Sequence, residues 1–460
     1  ELHEFVLGDI KTTNIPFVFD VKDLLLKFEN LSGMLGDSLH SIKSQEVALS
    51  LLHPTINARN IEISPLPHNN TPSTNKYNVK LPEIHMICPG IEHYLTSDTI
   101  EVEQFEMVKP SIRIRFGTEA GKGTPLNQID LYKLISHRYQ QASIQNFKVS
   151  NAQVFLIPAL STDTAQIFQN LTIKLQQFVA NSNSIANKNL IFNSENIEMQ
   201  LDTFLINHTD KLHRLTMTDL ELNTRNKTIS TKNVHFGPIS LQSTKRSDNV
   251  VDVTSGELSM TGVDFSAFFH QQKLKMNSLK VTSPESKLQF KTNDKNKTAL
   301  KTNSFLFEKT RDYLQGIYVN SIVLNNGKLS YQYSNKEDDE GFFQTNFAIN
   351  LQKFSLDSAT FFQTDRIFHA QEFNLNFNNI KLELADQIHV LTTDSLHLSS
   401  NNQLARLTNF QISPKNIATH TDSVNSGNQN IRYYIHFPVI LLSEANLHSA
   451  FFDKELLIKY

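Results

Sequence analysis

Three tetrapeptides carry the residues best placed to do chemistry: Asp37-Ser38-Leu39-His40, Asp210-Lys211-Leu212-His213 and Asp386-Gln387-Ile388-His389. A carboxylate and an imidazole three residues apart can share a metal ion or pass a proton. A metal site needs more, and no third ligand recurs at a fixed spacing from the pair. The other use is turn chemistry, in which Asp caps backbone N–H groups and His tops the strand that follows. Other chemical readings are thinner. Gly121-Lys122-Gly123-Thr124 looks like a phosphate cradle, but only three residues rather than four separate Gly117 from Gly121, and Lys122 is followed by Gly, so a plain turn is expected. The Asn-x-Ser/Thr triplets at Asn30, Asn170, Asn207, Asn226 and Asn296 match glycosylation acceptors in a chain rich enough in these residues to produce such matches by chance. Neither Gly-x-Ser-x-Gly nor His-Glu-x-x-His occurs, and Cys88, between Ile87 and Pro89, reads as core. No catalytic residue, metal site or cofactor is expected, and the chain reads as a non-enzyme.

The elements that position the three Asp/His pairs are themselves repeated. Within 192–238, the run Ile197, Met199, Leu201 alternates with polar residues; the tetrapeptide at Asp210 follows, then Leu220 and Leu222, then Val234-His235-Phe236, stopped by Gly237-Pro238. Upstream, Leu24, Leu26 and Phe28 precede the tetrapeptide at Asp37, then Val47 and Leu49, then Asn60-Ile61-Glu62-Ile63-Ser64-Pro65. Downstream, Phe373, Leu375 and Phe377 precede the tetrapeptide at Asp386, then Leu396 and Leu398, then Asn409-Phe410-Gln411-Ile412-Ser413-Pro414. The interval from the Leu or Ile before His to the closing Pro is identical in all three, Leu39 to Pro65, Leu212 to Pro238 and Ile388 to Pro414, and the copies follow one another at nearly equal intervals. Asn60, Asn233 and Asn409 recur just before the last strand of each copy, where hydrogen bonding at a strand edge or bulge is their natural role.

A repeat this long decides organisation before any domain count does. Three units are expected: 1–169, 170–344 and a truncated third, 345–460. The chain begins at Glu1 without an initiator Met and stops within the third unit, so a piece excised from something longer is expected. With 43 Lys and Arg against 46 Asp and Glu, the net charge of −3 gives no electrostatic pull toward nucleic acid. One Cys excludes an intrachain disulfide and suits cytosol and periplasm alike. No run of about 18 apolar residues is present to span a bilayer.

Period-two alternation predicts roughly ten strands per unit, about 5 to 9 residues long. Helices are expected at 126–139 and 305–314. A hairpin is predicted over 319–333, turning at Asn325-Asn326-Gly327, with a matching pair of short strands joined at Ser150-Asn151-Ala152. The fold class is mainly β: an elongated, coiled antiparallel sheet of repeated strands forming a taco-like groove, with a few short helices. At about 4.8 Å per strand, ten strands advance on the order of 50 Å.

One helix per unit cannot cover ten half-apolar strands. Either the sheet curls until its apolar faces meet, as in a structural or adhesive β-solenoid at a cell surface, or it stays open and needs an apolar ligand. At roughly 25 cal/mol per Å², covering even 200 Å² of acyl chain returns about 5 kcal/mol. The groove-lining candidates are the alternating apolar residues named above, Leu24 through Ile412.

The repeated short strands, the apolar-x-apolar strand ended by Ser-Pro (Ile61 to Pro65, Phe410 to Pro414) and the Asn-rich, Trp-free texture resemble the periplasmic part of AsmA-like proteins of Gram-negative bacteria, especially large Bacteroidetes-type members. The resemblance implies a taco-like sheet with a hydrophobic groove and an inner-membrane anchor before residue 1. It also implies phospholipid as partner, a possible outer-membrane partner, no nucleic acid, and lipid movement between inner and outer membranes across the periplasm. Eukaryotic bridge-like lipid-transfer proteins are similar in architecture.

Overall fold

The computed structural model describes residues 25–35, 38–67, 74–94, 97–118, 136, 138–158, 166–184, 191–208, 212–239, 250–291, 314–334, 340–357, 366–384, 386, 388–415 and 432–452. They form one mixed sheet of 20 strands. The first eight are β1 (Leu25–Met34), β2 (His40–Ser50), β3 (Thr55–Pro65), β4 (Lys76–Ile87), β5 (Thr99–Val108), β6 (Ser111–Arg115), β7 (Gln141–Ile157) and β8 (Gln166–Asn181). The same set recurs as β9 (Asn196–Asn207), β10 (His213–Asn223), β11 (Thr228–Pro238), β12 (Val250–Thr261), β13 (Lys273–Thr282), β14 (Glu285–Lys291), β15 (Gly316–Ser334) and β16 (Glu340–Asp357). A third round begins with β17 (Glu372–Glu383), β18 (His389–Ser399), β19 (Leu404–Pro414) and β20 (Ile435–Leu442). The expected unit boundaries at 169/170 and 344/345 therefore fall inside β8 and β16.

Neighbours in sequence are neighbours in the sheet, as short connections favour. The constant interval between His and Pro acquires a structural meaning: His40 lies directly opposite Pro65, His213 opposite Pro238 and His389 opposite Pro414. Pro is tolerated there because it is the last residue of its strand. Most pairs are antiparallel, with one exception per unit. β5 and β6 are two pieces of one line, interrupted at Lys109-Pro110, and both run parallel to β7; β13 and β14, interrupted at Ser283-Pro284, run parallel to β15.

Two expectations need correction. Among the described residues the strands number eight per full set rather than ten, and most have ten to twelve residues rather than 5 to 9. The pieces 319–333 and 147–156 are not hairpins: β15 and β7 each run straight through, pairing with β16 and β8 on both sides of an irregularity at Leu324/Gly327 and Val149/Ala152. Asn326 and Asn151 both have φ 55, so each left-handed Asn absorbs one extra residue in a bulge instead of reversing the chain. The helices expected at 126–139 and 305–314 lie almost wholly outside the described residues. What helix is described sits elsewhere, as α1 (Phe265–Gln271) and α2 (Leu447–Phe452), with a 3-10 turn at Ile91–His93 in the matching place of the first unit.

Left-handed residues recur within many of the strands, with a register shift at some and none at others. Asn60, Asn233 and Asn409 have φ of 50, 47 and 50; Asn30, Asn379, Asn170 and Asp219 adopt the same left-handed region, as do Lys109 and Ser283 ahead of their prolines. The many Asn residues have this physical reason, because Asn tolerates positive φ better than any residue except Gly. The side chains add support. Asn60 donates to Gln45, Asn233 to Thr218 Oγ1 at 3.2 Å and Asn409 to Asp394, three equivalent pairs. Buried hydroxyls take up carbonyls freed at the irregularity: Ser44 Oγ donates to the Arg59 carbonyl at 3.2 Å and Thr393 Oγ1 to that of Thr408. Two of the glycosylation triplets, at Asn30 and Asn170, thus begin with left-handed residues inside strands.

A left-handed residue reverses the in/out alternation of its strand, and at Asn60 it does so with the pairing register unchanged on both sides. That is why Ile56 and Ala58 before Asn60, and Ile61 and Ile63 after it, lie on the same face although their parity differs: Ala58, Ile61, Ile42, Val47 and Ile84 pack in one cluster. Around Asn60, Asn151 and Asn170, apolar residues from before and after the left-handed position pack together in one cluster. The sheet becomes a trough.

Candidate functional site: an apolar trough

Following the register across the sheet shows what lines the trough. Phe28 faces Val47, Val47 faces Ala58, Ala58 faces Ile84, and Ile84 faces Met107. The row goes on through Val149, Ile173, Met199, Leu222 and Ile229. It then passes Met260, Leu279, Ile322 and Leu351 to end at Phe373. No polar residue interrupts it. A neighbouring row carries it to the last strand: Ile349 faces Leu375, which faces Leu398, then Ala405 and Leu442. Beyond the left-handed residues a second row runs Ile42, Ile63, Val79, Ile112, Val154, Phe168, Phe204. The back of the sheet is polar. There Asn57, His85, Glu106, Lys148, Lys174 and Glu198 oppose one another in sequence, with Lys148 Nζ 2.9 Å from Glu106. The Lys148 and Ser150 side chains, both bonded to Glu106, hold its carboxyl below the usual range.

Every groove candidate read from the sequence, apart from Leu24 outside the described residues, lies in a strand of this sheet. Ile61, Ile197, Leu201, Phe373 and Leu375 are buried. The other fifteen, Leu26, Phe28, Val47, Leu49, Ile63, Met199, Leu220, Leu222, Val234, Phe236, Phe377, Leu396, Leu398, Phe410 and Ile412, are only half-buried. A sealed core would hide most of them; here the lining keeps one side toward open space.

Between β7 and β12 the trough deepens into a chamber of about 790 Å³, within the roughly 300–1,000 Å³ typical of ligand pockets. Its floor includes Ile173, Leu175, Ile197, Met199 and Leu222; its roof is Phe265, Phe268 and Phe269 of α1 with Ile191 and Phe192 from the loop before β9. Thr224 is the one polar residue in the lining. Asp264 starts α1 by accepting the Ala267 N–H at 2.9 Å. The rings of Phe192 and Phe269 meet edge to face, centroids 4.8 Å apart, closing the roof. Sequence reasoning gave the residues of this roof no functional role. The signal it passed over is the recurrence of Val18-Phe19-Asp20, Ile191-Phe192-Asn193 and Ile367-Phe368-His369 at the repeat offsets; the first of these lies outside the described residues.

The three histidines of the tetrapeptides sit on the opposite rim and serve the fold. His40 Nε2 accepts the Tyr77 N–H at 3.0 Å, His213 Nε2 that of Val251 at 3.2 Å, and His389 Nε2 that of Tyr433 at 3.1 Å. All three rings are buried and each packs on an aromatic ring, closest for His389 on Tyr433 at 4.0 Å. Accepting an N–H requires the lone pair on Nε2, so His389 Nδ1 carries the proton and donates it to Asp386 at 2.6 Å. Asp386 also accepts the Ile388 and His389 N–H groups at 2.9 and 3.0 Å. The His389 backbone bond, then its ring, hold the Asp386 carboxyl below its ordinary value. Asp37 and Asp210 lie outside the described residues. The turn reading accounts for the described pair, and among the described residues no group of three or more His, Cys, Asp or Glu side chains could hold a metal. Cys88 is fully buried, and burial pushes its thiol up. No protein-family model matches this chain, and no curated protein matches it.

Proposed function

We propose that this chain binds the acyl chains of phospholipids along its trough and lets them slide from repeat to repeat, acting in the periplasm as a segment of an AsmA-like lipid bridge between inner and outer membranes. The observation that carries the reading is the unbroken apolar row from Phe28 to Phe373, half-buried along most of its length. A continuous apolar surface of this extent exceeds what soluble proteins leave bare, and acyl chains are the ligand that matches it in length and lack of polarity. Equivalent positions recur from one unit to the next, so a chain that leaves one unit meets like contacts in the next. Among the described residues no helix is long and apolar enough to cross a membrane. The proposal gives them the span between membranes.

Transfer of a fluorescent phospholipid from donor to acceptor vesicles tests it. The chain should accelerate transfer, and Leu222→Asp, which places a carboxylate in the row, should abolish the acceleration while the sheet remains folded. A wild-type chain that leaves the transfer rate unchanged would remove the proposal.

A further inference from the structure

We propose that the 790 Å³ chamber is a discrete seat for the alkyl chains of a single lipid, and that an aromatic clasp, described in the second repeat and again in the third, closes over it and divides the trough into stations. This inference rests on the lipid-binding reading above. Two clasps are described. In one, Phe192, from the loop ahead of β9, meets Phe269 of α1, beyond β12; in the other, Phe368, ahead of β17, meets Phe451 of α2, beyond β20, with centroids 5.5 Å apart. Each spans three strand spacings, roughly 14 Å, across the end of the hairpin between.

The loops that present the two rings share an uncommon backbone. Phe192 and Asn193 have φ of 48 and 60, and Phe368 and His369 have φ of 54 and 57. Two consecutive left-handed residues, one of them Phe, are held against local preference in both places. Each clasp also buries a nitrogen without a hydrogen-bond partner, Nε2 of His270 beside Phe269 and Nε2 of His369 beside Phe368. Opening would hydrate that atom and relax the loop, so the closed clasp is poised rather than locked. The helices that carry the other half are short, seven and six residues, each started by one side-chain cap, Asp264 or Asn446. Phe192 and Phe268 are 38% and 47% exposed, Phe368 and Phe451 40% and 46%, so the clasp also offers apolar surface on the rim where a tail would come in.

The lining fixes the ligand class. With Thr224 as its one polar residue and no charged side chain, the chamber recognises alkyl chains and leaves the headgroup outside. Selectivity should follow tail length and be indifferent to headgroup.

The chain contains no Trp, so Phe192→Trp creates a lone fluorophore in the clasp, and Phe410→Trp a control on the trough face away from the chamber. Both are mixed with phosphatidylcholine vesicles whose acyl tails carry bromine, and with vesicles brominated at the headgroup. Tail bromine should quench Trp at position 192 strongly and headgroup bromine weakly. Filling the chamber with Ala142→Phe and Ala180→Phe should remove the quenching at 192 and spare it at 410; should that pair fail to fold, Ala142→Leu alone should weaken it several-fold. Quenching at 410 but not at 192, or quenching at 192 that survives the filled chamber, overturns the chamber and its clasp while leaving the trough reading intact. Absence of quenching at both positions overturns the two together.

Discussion

A lysine placed at two adjacent positions of one strand face separates an open trough from a sealed one. Leu201 is 2% exposed and packs with Val149, Ala152 and Leu171. Met199, two residues away on the same face, is half-buried beside the chamber. At Leu201 the substituted ammonium has no partner and no route to water. Loss of the leucine side chain alone costs about 2–5 kcal/mol in such a site, and burying an unpaired charge adds several more, on the order of 3 kcal/mol or above. At Met199 the lysine stem replaces the apolar stem and the ammonium reaches into the chamber, so the cost is confined to about one or two methylene equivalents, on the order of 1–2 kcal/mol. Hydrogen exchange of the β9 and β10 amides reads each cost locally, which suits a repeat array better than a single melting curve. Leu201→Lys should strip protection from both strands, whereas Met199→Lys should leave most of it and reduce bound lipid. Equal loss of protection in the two variants would mean that the face is closed by protein, and the reasoning from an uncovered row would fail.

The rim and the left-handed residues give further tests. His389→Ala orphans the Tyr433 N–H, costing about 1–3 kcal/mol, which should appear as faster exchange at the start of β20 and not in β10 to β12, where His213 makes the same tie. Asn409→Gly should hold the backbone at φ 50, whereas Asn409→Val, which disfavours that region by at least about 1–2 kcal/mol, should lower the thermal midpoint clearly. The Asp386 carboxyl is held below its ordinary value near 4, so what it contributes to stability is whole above about pH 4 and is lost as pH falls through the lowered value. The urea midpoint of the wild type should therefore exceed that of Asp386→Asn at pH 6, with the gap closing in acid.

Much of the trough is legible without the fold, because its cause is local. Alternation at Ile197, Met199 and Leu201 is the pattern a half-covered strand needs, and the constant spacing from Leu39, Leu212 and Ile388 to their prolines encodes a hairpin register. The bulges are harder to read. A left-handed Asn before Gly is the signal for a tight turn, and Asn325-Asn326-Gly327 reads so; what separates a bulge from a turn is whether β16 continues to pair on both sides, a non-local fact. A left-handed Asn60 breaks the alternation between Ala58 and Ile61 and conceals that both line one trough. Phe192 and Phe368 escape for a different reason. They stand in short irregular loops with no period to mark them, and their partners lie in helices across three strands.

The central claim is that the apolar row is covered by lipid rather than by protein. Native mass spectrometry of the chain purified from bacterial cells without detergent tests it most directly. The account predicts phospholipid of mixed headgroups bound to the folded chain, and less of it on Met199→Lys. A monodisperse, fully folded and lipid-free chain would contradict it.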